Sequence, residues 1–190
     1  QWFTVAGGAK QYVQAIANEL DEIRLSTPVL RIERDATGVT LQTARGSERF
    51  DQVVIATHAD QALSMLAHPT QSEAQLLGAI RFERNRAVLH TDITLRPQSK
   101  KAWAAWNYER AGVSRDASSV CLHYWLNRLQ PLPFTSDVIV SLNPIRPPAP
   151  NLVLAEIEYE HPIFDVTAIQ AQSQLHWLDR KSTRLNSSHG

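Results

Sequence analysis

The sequence predicts an α/β fold, α+β overall, with an α/β portion first and a mostly antiparallel β-sheet with helices after it. Three observations support this. Residues 53–56, Val-Val-Ile-Ala, form a short continuous apolar run, as in a strand covered on both faces within a parallel sheet. Apolar residues at helical three- and four-residue spacing flank that run, at 9–20, 59–66 and 72–80. Beyond Phe82 the composition turns to long β-type runs at 87–94, 118–126, 137–143 and 152–159.

Gly7 and Gly8 lead into the first helix, whose Tyr12, Val13, Ile16 and Leu20 would lay one apolar stripe against a sheet. The glycine pair is either an ordinary turn or a helix start whose amides face an anion, since the full G-x-G-x-x-G pattern is lacking. Residues 28–34 alternate Val29, Leu30 and Ile32 with Arg31 and Glu33, and Thr37-Gly38 before 39–43 predicts a hairpin. A second turn at Arg45-Gly46-Ser47 feeds the central strand at 53–56. Thr57 and His58 follow at its carboxyl end, where ligands sit in open α/β sheets. The alternative is that they merely end the strand and Asp60 caps the next helix.

Two short helices then fit, separated by Pro69-Thr70, and Ser72 with Gln75 has capping-box form. In 87–94, Val88, His90, Asp92 and Thr94 share a face polar enough to line a pocket, and His123 and Trp125 share one in the next run. Between these runs Trp103, Trp106 and Tyr108 crowd together, either as the wall of a hydrophobic substrate site or as a small packed cluster. Four prolines in 143–151 predict an extended exposed loop, and 166–178 returns to helical patterning. Residues 180–190 abandon apolar periodicity and are expected to be a non-native, disordered tail.

A hydrophobic content of 43% in 190 residues is ample for a core. With 19 basic and 19 acidic residues there is no electrostatic footprint for nucleic acid. Without Arg180, Lys181 and Arg184 the remainder is mildly acidic, 16 basic against 19 acidic. Cys121 is the only cysteine, which excludes an intramolecular disulfide and any paired-cysteine metal site. The seven histidines are dispersed without ligand spacing, so no metal is expected, and a reducing, cytoplasmic setting is. No apolar run approaches the ~18 residues of a membrane helix, so no membrane span is expected. No nucleophile-elbow, zinc-protease or phosphate-loop pattern is present.

The long wording ATHADQAL at 56–63, NRAVLHTD at 85–92 and AWAAWNY at 102–108, with Gly7-Gly8 ahead of it, resembles the flavin-containing amine-oxidase-like proteins, a family of NAD/FAD-binding oxidoreductases. The resemblance runs over residues 1–178. It implies an FAD-dependent oxidoreductase that moves a hydride from a small-molecule substrate, amine or lipid-like, to flavin. Cofactor contacts would then fall to Gly7 and Gly8, to the Val29 main chain at the adenine, and to Ala56, Thr57 and His58. His90, Trp103, Trp106, Asn107 and Tyr108 would lie on the substrate side.

The implied division is a partial FAD-binding, Rossmann-like domain at 1–59, a substrate-binding domain at 60–165, a returning helix at 166–179 and the tail at 180–190. The family's glycine fingerprint and its closing flavin-binding segment are expected outside this sequence, making it an internal fragment inactive by itself. A non-catalytic ligand-binding or scaffold α/β module is the alternative. A transferase or hydrolase using His58, His90 or His123 as a base is another.

Overall fold

A computed structural model describes residues 3–110 and 120–178. The tail at 180–190 and the first two residues of the run expected at 118–126 lie outside the described residues. In chain order the elements are helix α1 (Lys10–Ala17), strands β1 (Val29–Arg34), β2 (Val39–Thr43) and β3 (Gly46–Phe50), and helices α2 (Ala59–Met65) and α3 (Gln71–Gly78). Then follow β4 (Phe82–His90), β5 (Trp106–Arg110), β6 (Val120–Trp125), the one-turn α4 (Leu126–Leu129), β7 (Ile139–Leu142), β8 (Val153–Pro162) and α5 (Val166–Gln172). They fall into two compact units, Gln1–Asp21 with Arg84–Glu160 and Glu22–Glu83 with His161–Gly190, each described here over its described residues. The mixture of helices with two mostly antiparallel sheets is the expected fold class. No helix among the described residues is long and apolar enough to cross a membrane.

The unit containing Glu22–Glu83 is built on an antiparallel sheet ordered β1-β2-β3. Its first hairpin turns as expected, because Asp35 Oδ1 accepts the Thr37 and Gly38 amides at 2.7 and 3.1 Å. Ile32, Val39 and Leu66 form the buried cluster, with Val29, Leu41, Val53, Ile55, Met65 and Leu77 packed around it. Ala67 N–H donates to Ile32 O at 2.9 Å and ties the end of α2 to β1.

The expected central strand at 53–56 is corrected by this sheet. Its residues join no ladder among the described residues, and β3, which ends at Phe50, is the strand that pairs with β2. Val53 and Ile55 turn into the cluster while Val54 is 90% exposed. An extended segment shows alternate residues to opposite faces, and only one face of this run is covered among the described residues.

Helix α3 starts from Thr70 rather than Ser72. Thr70 Oγ1 accepts the Glu73 amide at 3.2 Å, and Glu73 Oε2 accepts the Thr70 amide at 2.7 Å, a complete capping box. Pro69 disfavours helical backbone at His68, and Thr70 is itself extended, so the helix begins just after it. Asp165 caps α5 by accepting the Ala168 amide at 2.8 Å, and α5 buries Ala168 and Ala171. Helical patterning at 166–178 thus resolves into α5 and a 3₁₀ turn at Leu175–Leu178.

The other unit holds a sheet ordered β5-β6-β7-β4-β8, in which β5-β6, β6-β7 and β7-β4 are antiparallel. Val88, Cys121, Ile139 and Ser141 are completely or almost completely buried at its centre. The aromatic stretch expected between strands contains one, β5, whose alternation exposes Trp106 and Tyr108 and buries Asn107. The proline loop is also less exposed than expected: Pro148 is buried, and Ala149 N–H donates to Asp92 Oδ2 at 2.9 Å. Helix α1 departs further, since the expected stripe of Tyr12, Val13, Ile16 and Leu20 is exposed and α1 buries none of its residues.

Candidate functional site

In the unit of β1 to β3, a cleft of about 440 Å³ is lined by Pro28, Val29, Ile32, Leu41, residues 53–57, Gln61, Ser64 and Met65. Most of this lining is apolar, with a few hydroxyl and amide groups, the make-up of sites that take flat organic rings. A register shift between Val29 and Arg31 sets three residues of β1 against two of β2. Such a bulge disrupts the ladder and frees main-chain hydrogen-bonding groups at the bulged residues. Val29, Ala56 and Thr57 are thereby brought to one cleft.

His58 takes another place. It is the N-cap of α2, its amide donates to Gln61 Oε1 at 3.3 Å, and its ring stacks on Phe82 with centroids 4.2 Å apart. Asp60, the expected cap, accepts the adjacent Gln61 amide instead. Gly7 and Gly8 belong to the other unit, where both have positive φ, +79° and +84°, in a turn closed by Gly8 N–H donating to Val5 O at 2.9 Å. A side chain at either position would be strained.

In that other unit a directed chain of hydrogen bonds crosses the sheet. The Asp92 amide can only donate, so His90 Nδ1, 3.1 Å away, accepts and His90 carries its proton on Nε2. His90 Nε2–H therefore donates to Ser141 Oγ at 2.7 Å, and the Ser141 hydroxyl is free to donate to His123 Nδ1 at 2.6 Å. His123 Nε2 then faces Glu109 Oε2 at 3.2 Å and Cys121 Sγ at 3.3 Å. Burial lowers the His90 pKa, in keeping with a neutral ring, and pushes the Cys121 thiol up to about 11. His90 is wholly buried and satisfied by this chain, so it presents no free edge to a ligand.

A second cleft, of about 240 Å³, opens at the His123 end and is lined by Leu95, Arg96, Asn107, Tyr108, Glu109 and Arg146 among others. Of the five residues expected on the substrate side, it gathers Asn107 and Tyr108. Trp103 instead donates Nε1–H to Pro97 O at 2.8 Å and meets Trp125 edge-on. Trp106 meets Tyr124 edge-on at 6.2 Å. Arg96, ion-paired with Asp137 at 2.6 Å, lies against both rings, 4.5 Å from the centroid of Trp103 and 3.8 Å from that of Trp125. Trp103 is thus packed against Trp125 and Arg96, whereas Trp106 is 56% exposed.

Sequence reasoning missed Arg96, Glu109, Cys121 and Ser141. Cys121-x-His123 on a strand puts both side chains on one face, a signal that was legible, but their closeness to Glu109 depends on the β5-β6 register.

Residues 1–88 match the family described as flavin containing amine oxidoreductase, and over that stretch the resemblance read from the sequence stands. No curated protein matches the chain. Among solved structures, a provisionally assigned protoporphyrinogen oxidase from Exiguobacterium sp. 255-15 is similar at 16% identity and a TM-score of 0.58, covering 91% of this chain and 44% of that one. A fatty acid isomerase from P. acnes, described as producing CLA, is similar at 13% identity and a TM-score of 0.50, covering 83% of this chain and 39% of that one. At these identities the likeness is one of fold, and the chain spans less than half the length of either protein.

Proposed function

We propose, from the match of residues 1–88 to the flavin-containing amine oxidoreductase family, that this chain is part of an FAD-dependent oxidoreductase taking a hydride from a small-molecule substrate. The observation that carries the reading is the apolar cleft of about 440 Å³ with the β1 bulge in its wall. The residues present fit one end of such a dinucleotide: Ile32, Leu41, Val53, Ile55 and Met65 offer flat apolar contact, and main-chain groups freed near Val29 match the polar edge of an adenine.

Bound flavin supplies an electron sink that no amino-acid side chain offers. The protein's own contribution is to bind, orient and exclude water. Val29 holds the adenine edge, while Ala56 and Thr57, being small, let a ring system approach. His58 holds the turn into α2. Gly7 and Gly8, whose positive φ only glycine adopts without strain, hold a turn that serves the flavin side. Asn107 and Tyr108 line the substrate side, with His90 and Trp103 as its packed support and Trp106 exposed beside it. The functional division runs as 1–59 for cofactor and 60–165 for substrate, the substrate is amine or lipid-like, and the setting is cytoplasmic.

Titration of the chain with AMP and with FAD, followed by calorimetry, tests the cleft. Thr57→Trp fills it and is expected to weaken both ligands by about tenfold or more, on the order of 1.4 kcal/mol, with unchanged circular dichroism. Equal affinity in a folded Thr57→Trp protein removes the cleft as the adenine site.

A further inference from the structure

We propose that Glu109, Cys121 and His123 form a binding site for a zinc-type divalent transition-metal ion at the edge of the β5-β6 hairpin. The site does not rest on the flavin reading and shares no residue with the adenine cleft, and it opens into the cleft that Asn107 and Tyr108 line.

The geometry carries it. Glu109 on β5 is the register partner of Cys121 on β6, and His123 lies two residues further along the same face of β6. Their ligand atoms all lie within 4.8 Å of one another. Around a tetrahedral zinc, sulfur and nitrogen ligands stand about 3.5 Å apart, and nitrogen and oxygen ligands about 3.3 Å apart, from the usual bond lengths. Cys121 Sγ and His123 Nε2 are 3.3 Å apart, and His123 Nε2 and Glu109 Oε2 are 3.2 Å apart. Both edges therefore need adjustments of only a few tenths of an ångström.

The donor set, one thiolate, one imidazole and one carboxylate, is the borderline-soft mixture that zinc and cobalt take, and it is unsuited to calcium or magnesium. Glu109 and His123 line the cleft of about 240 Å³, from which an ion reaches them, while Cys121 is fully buried. The outer contact is in place as well. With an ion on Nε2, His123 carries its proton on Nδ1, and Ser141 Oγ, 2.6 Å away, accepts it and orients the ring. Ser141 then accepts from His90 and His123 together, which its two lone pairs allow, and its own proton gives up the His123 acceptor. The thiol proton of Cys121 leaves to solvent when the sulfur binds. Two histidines dispersed in sequence thus act together, one as ligand and one holding the serine that orients it.

Cobalt(II), added to the full chain in the absence of other metals, tests the proposal. Because Cys121 is the only cysteine, a near-ultraviolet thiolate-to-cobalt band can arise from no other residue. The expected result is that band, with intense visible bands of tetrahedral cobalt, saturating at one equivalent and bleached by zinc. Cys121→Ser should abolish the thiolate band. Glu109→Gln, at a partly exposed position that tolerates the change, should keep the fold by circular dichroism and weaken cobalt binding about tenfold or more. Absence of the thiolate band in the folded parent overturns the proposal. So does cobalt binding that Cys121→Ser leaves intact, or affinity unchanged in Glu109→Gln.

Discussion

Glu73 is mostly buried and is held by Arg34 through two hydrogen bonds, of 2.6 and 2.9 Å. The Arg34 guanidinium is the main cause that lowers its carboxyl pKa to about 2, with burial opposing and the Thr70 amide and hydroxyl adding to it. The depressed value means that the stabilisation is fully present above about pH 4.5 and is lost as pH falls toward 2. Glu73→Gln should therefore cost about 2–3 kcal/mol at neutral pH and flatten the acid limb of the stability curve in that window, as urea denaturation across pH would show. His90 has the opposite chemistry with the same sign. Its lowered value leaves the unfolded chain binding the extra proton, so its burial begins to destabilise as pH drops below 6.5. At this scale the sequence was legible where a side chain acts on its near neighbours. A capping box before α3 was foreseen at Ser72 but forms at Thr70, just after Pro69, and its Glu73 is also held by an arginine 39 residues away, a contact that no local pattern shows.

The β1-β2 hairpin was legible because Thr37-Gly38 between alternating runs specifies a turn locally. The reason Gly38 has to be glycine was not. A Cβ there would stand 2.6 Å from the Phe50 carbonyl oxygen, closer than real contacts allow, and a backbone atom cannot swing aside. Gly38→Ala should displace β3 and cost about 1–3 kcal/mol, read as a lower denaturation midpoint with an unchanged slope. A neutral substitution would show that the end of β3 is not held against this turn. Strand β5 escaped the sequence reading for a related reason. Its tryptophan and tyrosine suit a pocket wall and a strand equally, and only pairing with β6 distinguishes the two.

At the scale of the whole molecule the run at 53–56 makes the sharpest test. Read as a central strand, it makes Val54→Asp an unfolding mutation; in the structure Val54 is 90% exposed, so the change should stay within about 0.5 kcal/mol of the parent. Ile55→Asp, one residue on and packed against the Ile32 cluster, should cost about 2 kcal/mol or more. Equal damage from both in thermal melts would show that both faces of the run are covered. Taken by itself, the sequence determined the α/β class, the first hairpin, the positions of α2, α3, α5 and four strands of the second sheet, and the family wording that points to flavin, because these follow from local periodicity, turn chemistry and residue identity. Only the tertiary structure decided that residues 53–57 meet Val29 in one cleft, that His90 is locked to Ser141, and that Glu109, Cys121 and His123 converge. Those are contacts between residues set apart along the chain, and strand register and packing, which no local pattern encodes, bring them together.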